Sequence, residues 1–229
     1  MSPELESNHA DGGALESDAC GNPSPGHGTM RGEDCLADGN GLPDPSRADA
    51  GDGSDQSIGS HVLLIGFMGA GKSTVARRLA RRYGKASFDT DAGLSRMVGK
   101  SIPEIFSDEG EQAFRRYECE YLRYLKDMEP GIVSCGGGIV TYEGSRRALR
   151  ELGFVVYLDV SVDEVYRRIS STESRPNLSD DRHRTQELYE SRLPLYMECA
   201  DLVVDTNGKS SSAVARELGN ILVERGVIG

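Results

Sequence analysis

Residues 61–73 of the chain read HVLLIGFMGAGKS, and this stretch decides the fold. Its apolar part, Val62–Ile65, predicts a strand that is buried on both faces of a parallel sheet. Gly66 to Ser73 then satisfy the phosphate-loop pattern G-x-x-x-x-G-K-[ST], and a helix is expected to begin near Lys72. A strand, a glycine-rich loop and a helix in this order predict a site that binds the phosphates of a nucleotide.

Each part of this loop has a chemical role. Glycines let the backbone curl so that its N–H groups converge on phosphate oxygens, and the helix N-terminus adds the positive end of its dipole. Lys72 is expected to contact the β and γ phosphates, and the Ser73 hydroxyl is expected to bind Mg²⁺. The loop predicts a nucleotide but leaves the phosphate acceptor open. The predicted nucleotide contacts in the loop are Gly69, Ala70, Gly71, Lys72, Ser73 and Thr74.

Outward from the loop, short apolar runs alternate with helical stretches. Further strands are predicted at 86–88, 132–135, 154–158 and 202–204. Helices are predicted at 72–83, 91–98, 111–127, 145–151, 162–170, 184–199 and 211–225. Strands that alternate with helices indicate βα units, and therefore an α/β fold with a parallel sheet and helices on both of its faces.

The acidity of the chain is concentrated at its N-terminal end. Residues 1–60 contain 12 of the 37 Asp and Glu residues but only two of the 26 basic ones, Arg31 and Arg47. This segment is also rich in Gly, Pro and Ser, so it cannot bury enough apolar surface to offset its ordering entropy. We therefore predict a disordered extension at 1–60 and one domain at 61–229. The domain is nearly neutral, so neither nucleic acid nor a membrane surface is expected as a partner.

Cysteine usage and hydropathy indicate the compartment. The five cysteines are irregularly spaced and odd in number, which favours neither a disulfide framework nor a zinc site. No apolar run approaches the roughly 18 residues of a membrane span. The N-terminus also lacks the basic and apolar regions of a secretory signal. We expect a cytoplasmic protein.

Two carboxylates follow the second predicted strand, in the sequence Asp89-Thr90-Asp91. Ligands bind at the carboxyl ends of the strands in open α/β sheets, so both side chains are candidates for the site. One of them can hold the metal while the other accepts a hydroxyl proton. The alternative is that Asp91 only caps the helix that follows.

Two further features follow along the chain. Arg115 lies in the predicted helix 111–127, and Glu118 three residues later allows an ion pair that holds its guanidinium. The third predicted strand ends in the three glycines Gly136–Gly138, which permit a close approach of the backbone to a ligand. A flexible loop is the alternative for these glycines.

In order and spacing these motifs resemble the shikimate kinase family. The motifs that carry the resemblance are GFMGAGKST from Gly66, DTD from Asp89, GEQAFRRYE from Gly110, GGG from Gly136, RPNL from Arg175 and RLPLY from Arg192. The resemblance runs from about His61 to the C-terminus. It implies a three-layer P-loop fold with a five-stranded parallel sheet, a mobile lid and a monomeric state. It also implies transfer of the γ-phosphate of ATP to the 3-hydroxyl of shikimate.

The resemblance also implies roles for individual residues of the substrate site. Asp91 would orient the hydroxyl group and act as the base, with Lys72 and Arg175 as the other catalytic residues. The planar donors of Arg115 and Arg192 would pair with the substrate carboxylate. The remaining implied contacts are backbone contacts of Gly136, Gly137 and Gly138 with the substrate, and Mg²⁺ ligation by Ser73 and Asp89.

Around the nucleotide, the resemblance implies a lid at 172–183 that carries Arg175. Asn177 departs from the family pattern, where an aliphatic residue is common at this place. Arg168 would flank the adenine ring, and Lys209 would lie near it in the 205–209 loop. Asp159 follows an apolar strand and offers an alternative carboxylate for the metal, although the family pattern favours Asp89.

Two other functions remain open on the sequence alone. A gluconate kinase of the same fold also binds an acceptor with a carboxylate, so two arginines do not exclude it. A nucleotide-binding regulator without turnover is the alternative from a different class of protein. The presence of Lys72, Asp91 and Arg175 favours catalysis.

Overall fold

A computed structural model of the protein describes residues 60–170 and 182–229. The extension predicted at 1–60 therefore lies outside the described residues, apart from Ser60. The predicted lid at 172–183 also lies outside them, apart from Arg182 and His183. This places Arg175 beyond the part of the chain for which positions are described.

Strands and helices alternate as the sequence predicts. The strands are β1 (His61–Ile65), β2 (Ala86–Asp89), β3 (Gly131–Ser134), β4 (Gly153–Asp159) and β5 (Leu202–Asp205). The helices are α1 (Lys72–Tyr83), α2 (Thr90–Val98), α3 (Ile102–Asp108), α4 (Gly110–Leu125), α5 (Glu143–Leu152), α6 (Val162–Ser170), α7 (Arg182–Cys199) and α8 (Ser211–Glu224). A 3₁₀ turn covers Ile139–Thr141. The predicted helices at 72–83 and 162–170 match α1 and α6 to the residue.

The strands form one parallel sheet in the order β2-β3-β1-β4-β5. Val62 in β1 lies between Ile132 of β3 and Phe154 of β4, so β1 is the central strand. All five residues of β1 are buried, as its continuous apolar sequence predicts. The predicted α/β fold with a five-stranded parallel sheet is confirmed. Because the strands are parallel, the loops after β1, β2 and β3 all begin at the same edge.

One helix was not predicted. Helix α3 begins with a capping box, in which the Ser101 hydroxyl accepts a hydrogen bond from the Glu104 N–H and Glu104 accepts one from the Ser101 N–H at 2.7 Å. Pro103 lies in its first turn. The pattern S-x-x-E with an early proline is a known helix start, so the sequence carried the signal for this helix.

A buried histidine joins three elements at the amino ends of the strands. The Gly131 N–H donates to His61 Nδ1 at 3.2 Å, so the ring proton resides on Nε2, which donates to the Leu125 carbonyl at 2.9 Å. His61 therefore connects the start of β1 to the start of β3 and to the end of α4. Burial lowers the pKa of His61, which keeps the ring neutral.

Within residues 60–170 and 182–229, no helix is both long enough and apolar enough to cross a bilayer. Cys119, Cys135 and Cys199 are buried thiols. Burial raises the pKa of the Cys135 thiol, which makes this side chain a packing residue.

Candidate active site

The phosphate loop joins β1 to α1. Gly66, Gly69 and Gly71 all have positive φ angles, of 140°, 78° and 90°, which L side chains rarely adopt. A Cβ on Gly66 would also lie 2.5 Å from the Leu158 carbonyl oxygen. Gly71 is the N-cap of α1 and has no side chain to bond the first N–H groups of that helix. These N–H groups therefore face the loop, where they suit an anion.

A cavity of about 220 Å³ opens above this loop. It brings together most of the residues that the sequence assigns to phosphate, metal and acceptor. Its lining includes Gly69, Gly71, Lys72, Ser73, Thr74, Asp89, Asp91, Gly136 and Gly137. Lys72 Nζ donates to the carbonyls of Gly66 and Phe67 at 2.7 and 2.9 Å, which holds the ammonium over the loop.

Three polar side chains with oxygen atoms lie together in the lining of this cavity. The Ser73 hydroxyl donates to Asp89 Oδ2 at 3.0 Å, and it lies 2.9 Å from the Ser134 hydroxyl. Ser134 is the last residue of β3, beside the central strand. The sequence reasoning missed Ser134, although it is a polar residue that ends a buried apolar strand.

Asp89 and Asp91 have different structural tasks. Asp89, not Asp91, is the N-cap of α2, because its side chain accepts the Ala92 N–H at 3.2 Å. The alternative that Asp91 only caps this helix is therefore wrong. Asp91 lies inside the first turn of α2. Burial raises the pKa of Asp91, and the nearby charge of Asp89 raises it further, while Lys72 and Arg115 oppose the shift.

A buried arginine, Arg115, is held by glutamates on its own helix, α4. Arg115 Nη1 donates to Glu118 Oε2 at 2.7 Å, as the sequence predicts, and Nη2 donates to Glu111 at 2.9 Å. Glu118 is completely buried, and burial raises its pKa to about 7 although Arg115 opposes this shift. Among the described residues, the buried atoms Arg115 Nε, Glu118 Oε1 and Arg192 Nε have no hydrogen-bond partner. Such atoms indicate that a polar ligand completes the site.

The three glycines lie between these charged groups. A Cβ on Gly136 would be 2.6 Å from Asp91 Oδ1 and 2.9 Å from Glu118 Oε1. The Gly137 carbonyl accepts hydrogen bonds from Tyr196 and from Arg192 Nη1, the latter at 3.5 Å. The Gly136 N–H donates to Thr90 Oγ1 at 2.9 Å. These glycines are bonded and closely packed, which favours the interpretation of a close approach over that of a flexible loop.

A second cavity of about 300 Å³ adjoins the first. The two share Gly69, Gly71 and Thr74 in their linings, so they adjoin at the phosphate loop. The lining of the second cavity also includes Ala70, Val75, Arg167, Arg168, Thr206, Lys209 and Val214. Arg168 and Lys209 therefore lie together beside the phosphate loop. Thr206 belongs to the 205–209 loop that is expected to lie near the base, and it also lines this cavity.

The alternative metal carboxylate, Asp159, is differently placed. Its Oδ1 accepts hydrogen bonds from the hydroxyls of Tyr157 and Tyr189 at 2.8 and 3.1 Å. Among the described residues, those that line the 220 Å³ cavity include Asp89 but not Asp159. This arrangement favours Asp89 over Asp159 as the carboxylate nearest to the phosphates.

Comparison with known proteins agrees with this geometry. The family model described as shikimate kinase matches residues 68–222. A shikimate kinase of Nitrosospira multiformis is 39% identical over 174 residues, which cover 75% of this chain and 89% of the relative. One from Bordetella pertussis is 42% identical over 159 residues, which cover 69% and 75% of the two chains.

A solved structure extends the similarity to three dimensions. The shikimate kinase of Acinetobacter baumannii, in complex with shikimate, superposes with a TM-score of 0.67 at 32% identity. The match covers 74% of this chain and 96% of that chain. The family model spans most of the described domain, and the matches to these relatives cover most of each relative's length. The chain therefore belongs to the shikimate kinase family.

Proposed function

We propose that this protein transfers the γ-phosphate of ATP to the 3-hydroxyl of shikimate, a step in the biosynthesis of aromatic amino acids. The observation that carries the proposal is the arrangement around Gly136–Gly138. There, Asp91 with its raised pKa and the phosphate loop line one cavity, and Arg115 and Arg192 lie against Gly138 and Gly137 at its border. Membership of the shikimate kinase family supports the choice of acceptor.

Arg115 and Arg192 would bind the carboxylate of the acceptor. Both guanidinium groups are partly held by the protein, Arg115 by Glu118 and Arg192 by the Gly137 carbonyl. Each retains a buried Nε without a partner among the described residues. A planar carboxylate would satisfy such donors, and pre-oriented guanidinium groups lose little entropy when they bind it.

Asp91 would act as the general base. It lies at the carboxyl end of β2, and burial raises its pKa toward the range in which a carboxylate accepts a proton well. Phosphoryl transfer needs mainly positioning and stabilisation of charge on the transferred group. Lys72, in the phosphate loop, would supply part of the positive charge that stabilises the transferred group. Arg175, with the lid, would supply the rest on closure.

The residues present fit a magnesium ion. Ser73, Asp89 and Ser134 offer hard oxygen ligands, and the Ser73 hydroxyl lies within hydrogen-bond distance of the other two. Mg²⁺ is bound in phosphoryl-transfer enzymes by one or two protein oxygens together with substrate phosphates. Ser73 and Asp89 would therefore hold the ion, with Ser134 beside them. When bound, the ion would neutralise charge on the β and γ phosphates.

Purified full-length protein tests the proposal through ADP release from Mg-ATP. The acceptors are shikimate, gluconate and a nucleoside monophosphate, with a reaction without acceptor as the blank. We expect release only with shikimate. Release with gluconate alone would assign Arg115 and Arg192 to a different carboxylate. No release with any acceptor, from protein that still binds ATP, would support the non-catalytic nucleotide-binding regulator.

The Asp91→Asn variant tests the base. It should bind ATP as the wild type does and lose at least about 100-fold in kcat, the usual contribution of a general base. Asp127→Asn is the matched control, because Asp127 is an exposed carboxylate beyond the end of α4 and lies outside the cavity lining. Near-normal turnover of Asp91→Asn would remove Asp91 from the base role.

A further inference from the structure

Glu164 on α6 is a buried carboxylate that the proposed reaction does not use. Only 8% of its surface is exposed, and it accepts hydrogen bonds from two arginines of its own helix. Its Oε1 accepts from Arg168 Nε at 2.8 Å and from Arg167 Nη2 at 2.6 Å, and its Oε2 accepts from Arg167 Nε at 2.7 Å. These bonds are charge-assisted, and such bonds are about twice as strong as neutral ones.

The contacts of Arg168 occupy each edge of its guanidinium. Nε donates to Glu164, Nη1 donates to the Gly69 carbonyl at 3.0 Å, and Nη2 donates to the Thr206 carbonyl. Because all three edges are used by protein acceptors, this guanidinium is not arranged as a fork for phosphate. Arg168 also lines the 300 Å³ cavity, and guanidinium planes stack on aromatic rings.

These contacts also join separate parts of the nucleotide cavity. Gly69 belongs to the phosphate loop, Thr206 follows β5, and Arg168 connects the two at the 300 Å³ cavity. Glu164 approaches Arg168 from the remaining side. Hydrogen bonds from Arg167 and Arg168 lower the pKa of Glu164 to about 2, so the carboxylate is charged at any physiological pH. Its hold on Arg168 therefore does not vary with pH.

We propose that Glu164 is a positioning residue which holds the plane of Arg168 against the base of the bound nucleotide, and thereby sets affinity for the base but not for the phosphates. The proposal rests on the proposed function only in taking ATP as the co-substrate. Arg168 contacts the ligand, whereas Glu164 acts through Arg168.

The test compares a ligand that has a base with one that lacks it. Equilibrium binding of ADP and of inorganic tripolyphosphate is measured on the full-length protein and on Glu164→Gln. We expect the variant to bind ADP about tenfold more weakly, the size of one charged hydrogen bond. Tripolyphosphate affinity should stay within about twofold. KM for ATP should rise while kcat at saturating ATP and KM for shikimate stay within about twofold.

Two further variants make the test specific. Arg168→Lys keeps the charge but loses the planar three-edged donor, so it should show the same selective loss of ADP. The double variant should be no weaker than Arg168→Lys alone, because Glu164 acts only through Arg168. Glu143→Gln is the matched control, since Glu143 and Arg147 form an exposed pair with the same i,i+4 spacing. It should leave both affinities unchanged.

Two outcomes would overturn the proposal. ADP affinity within twofold of wild type in Glu164→Gln would show that Arg168 holds its place without the carboxylate. If Glu164→Gln weakened the affinities for ADP and tripolyphosphate equally, or abolished binding of both, Glu164 would instead support the phosphate loop or the fold. The binding assays need no acceptor, so they remain decisive even if turnover with shikimate fails.

Discussion

The guanidinium of Arg115 lies directly against the bare backbone of Gly138, where a Cβ would be 2.7 Å from Nη1 and 2.8 Å from Cζ. The backbone φ of Gly138 is −100°, which any residue can adopt. Glycine is therefore required here by the position of Arg115 and not by backbone strain. The glycine after β3 and the arginine on α4 form one unit of the site.

The Gly138→Ala variant should lose activity without losing much stability. The atoms that the new methyl group meets are the far end of a flexible side chain, so Arg115 can move aside. Moving the guanidinium removes it from the proposed carboxylate contact, and we expect KM for shikimate to rise at least about tenfold. KM for ATP and the thermal midpoint should change little. A drop of many degrees in the midpoint with normal KM would contradict this account.

The affinity for shikimate should depend on pH through Glu118. Burial raises the pKa of this carboxyl to about 7, so it becomes protonated as the pH falls below 7. A neutral Glu118 holds Arg115 less firmly, and KM for shikimate should therefore increase from pH 8 to pH 6.

Glu118→Gln isolates this effect, because the amide does not titrate. Its KM for shikimate should be raised at pH 8 to about the value that the wild type has at low pH, and it should be flat between pH 6 and 8. Measuring KM by steady-state kinetics at five pH values would decide the point. A parallel pH dependence in variant and wild type would exclude Glu118 as its source.

The two tasks of Asp89 can be separated by two substitutions. Asp89→Asn keeps an oxygen that can accept the Ala92 N–H, but it loses the charge beside Ser73. We expect normal stability and a higher Mg²⁺ concentration for half-maximal activity. Asp89→Ala also loses the helix cap, so its free energy of unfolding should fall by about 1 kcal/mol. Urea unfolding and Mg²⁺ titration of both variants test this, and equal stabilities would refute the capping role.

His61 should make stability depend on pH. Its folded pKa lies below the ordinary value of 6.5, so the unfolded chain takes up the proton first as the pH falls. The contribution of His61 is therefore fully present above about pH 6.5 and is lost below it, because a protonated Nδ1 cannot accept the Gly131 N–H.

The measurement is the free energy of urea unfolding of wild type and His61→Asn at pH 7.5 and 5.5. The variant keeps an acceptor near the Nδ1 position but loses the bond to Leu125, so it should be about 1 kcal/mol less stable at pH 7.5. The difference between the two proteins should shrink at pH 5.5. A difference that is constant or that grows at low pH would contradict the neutral histidine.

The elements predicted correctly depend on local signals. β1 and α1 follow from an apolar run and the glycine pattern of the loop, and both are found as predicted. The family resemblance, drawn from the order of the motifs, is confirmed as well. Helix α3 was missed although its capping signal at Ser101 was present, because its short length offers little hydrophobic periodicity.

The residue that sequence reasoning missed has a partner that is distant in sequence. Ser134, at the end of β3, meets Ser73 on α1. Nothing near Ser134 distinguishes it from an ordinary polar residue at a strand end. The sequence also left open whether Asp91 caps α2. The answer depends on which residue is the last with extended backbone before the helix, and that residue is Asp89.

The sequence alone determined the architecture, the phosphate loop and the kinase family. Apolar periodicity and the positions of glycines can be recognised from residues that are close together in the chain. The tertiary structure alone decided which groups share the cavity and in what ionisation state. Burial gives Asp91 and Glu118 their raised pKa values, and packing brings Arg168 against Gly69 and Thr206. Distance and desolvation arise only when separate elements pack together, so no reading of neighbouring residues could supply them.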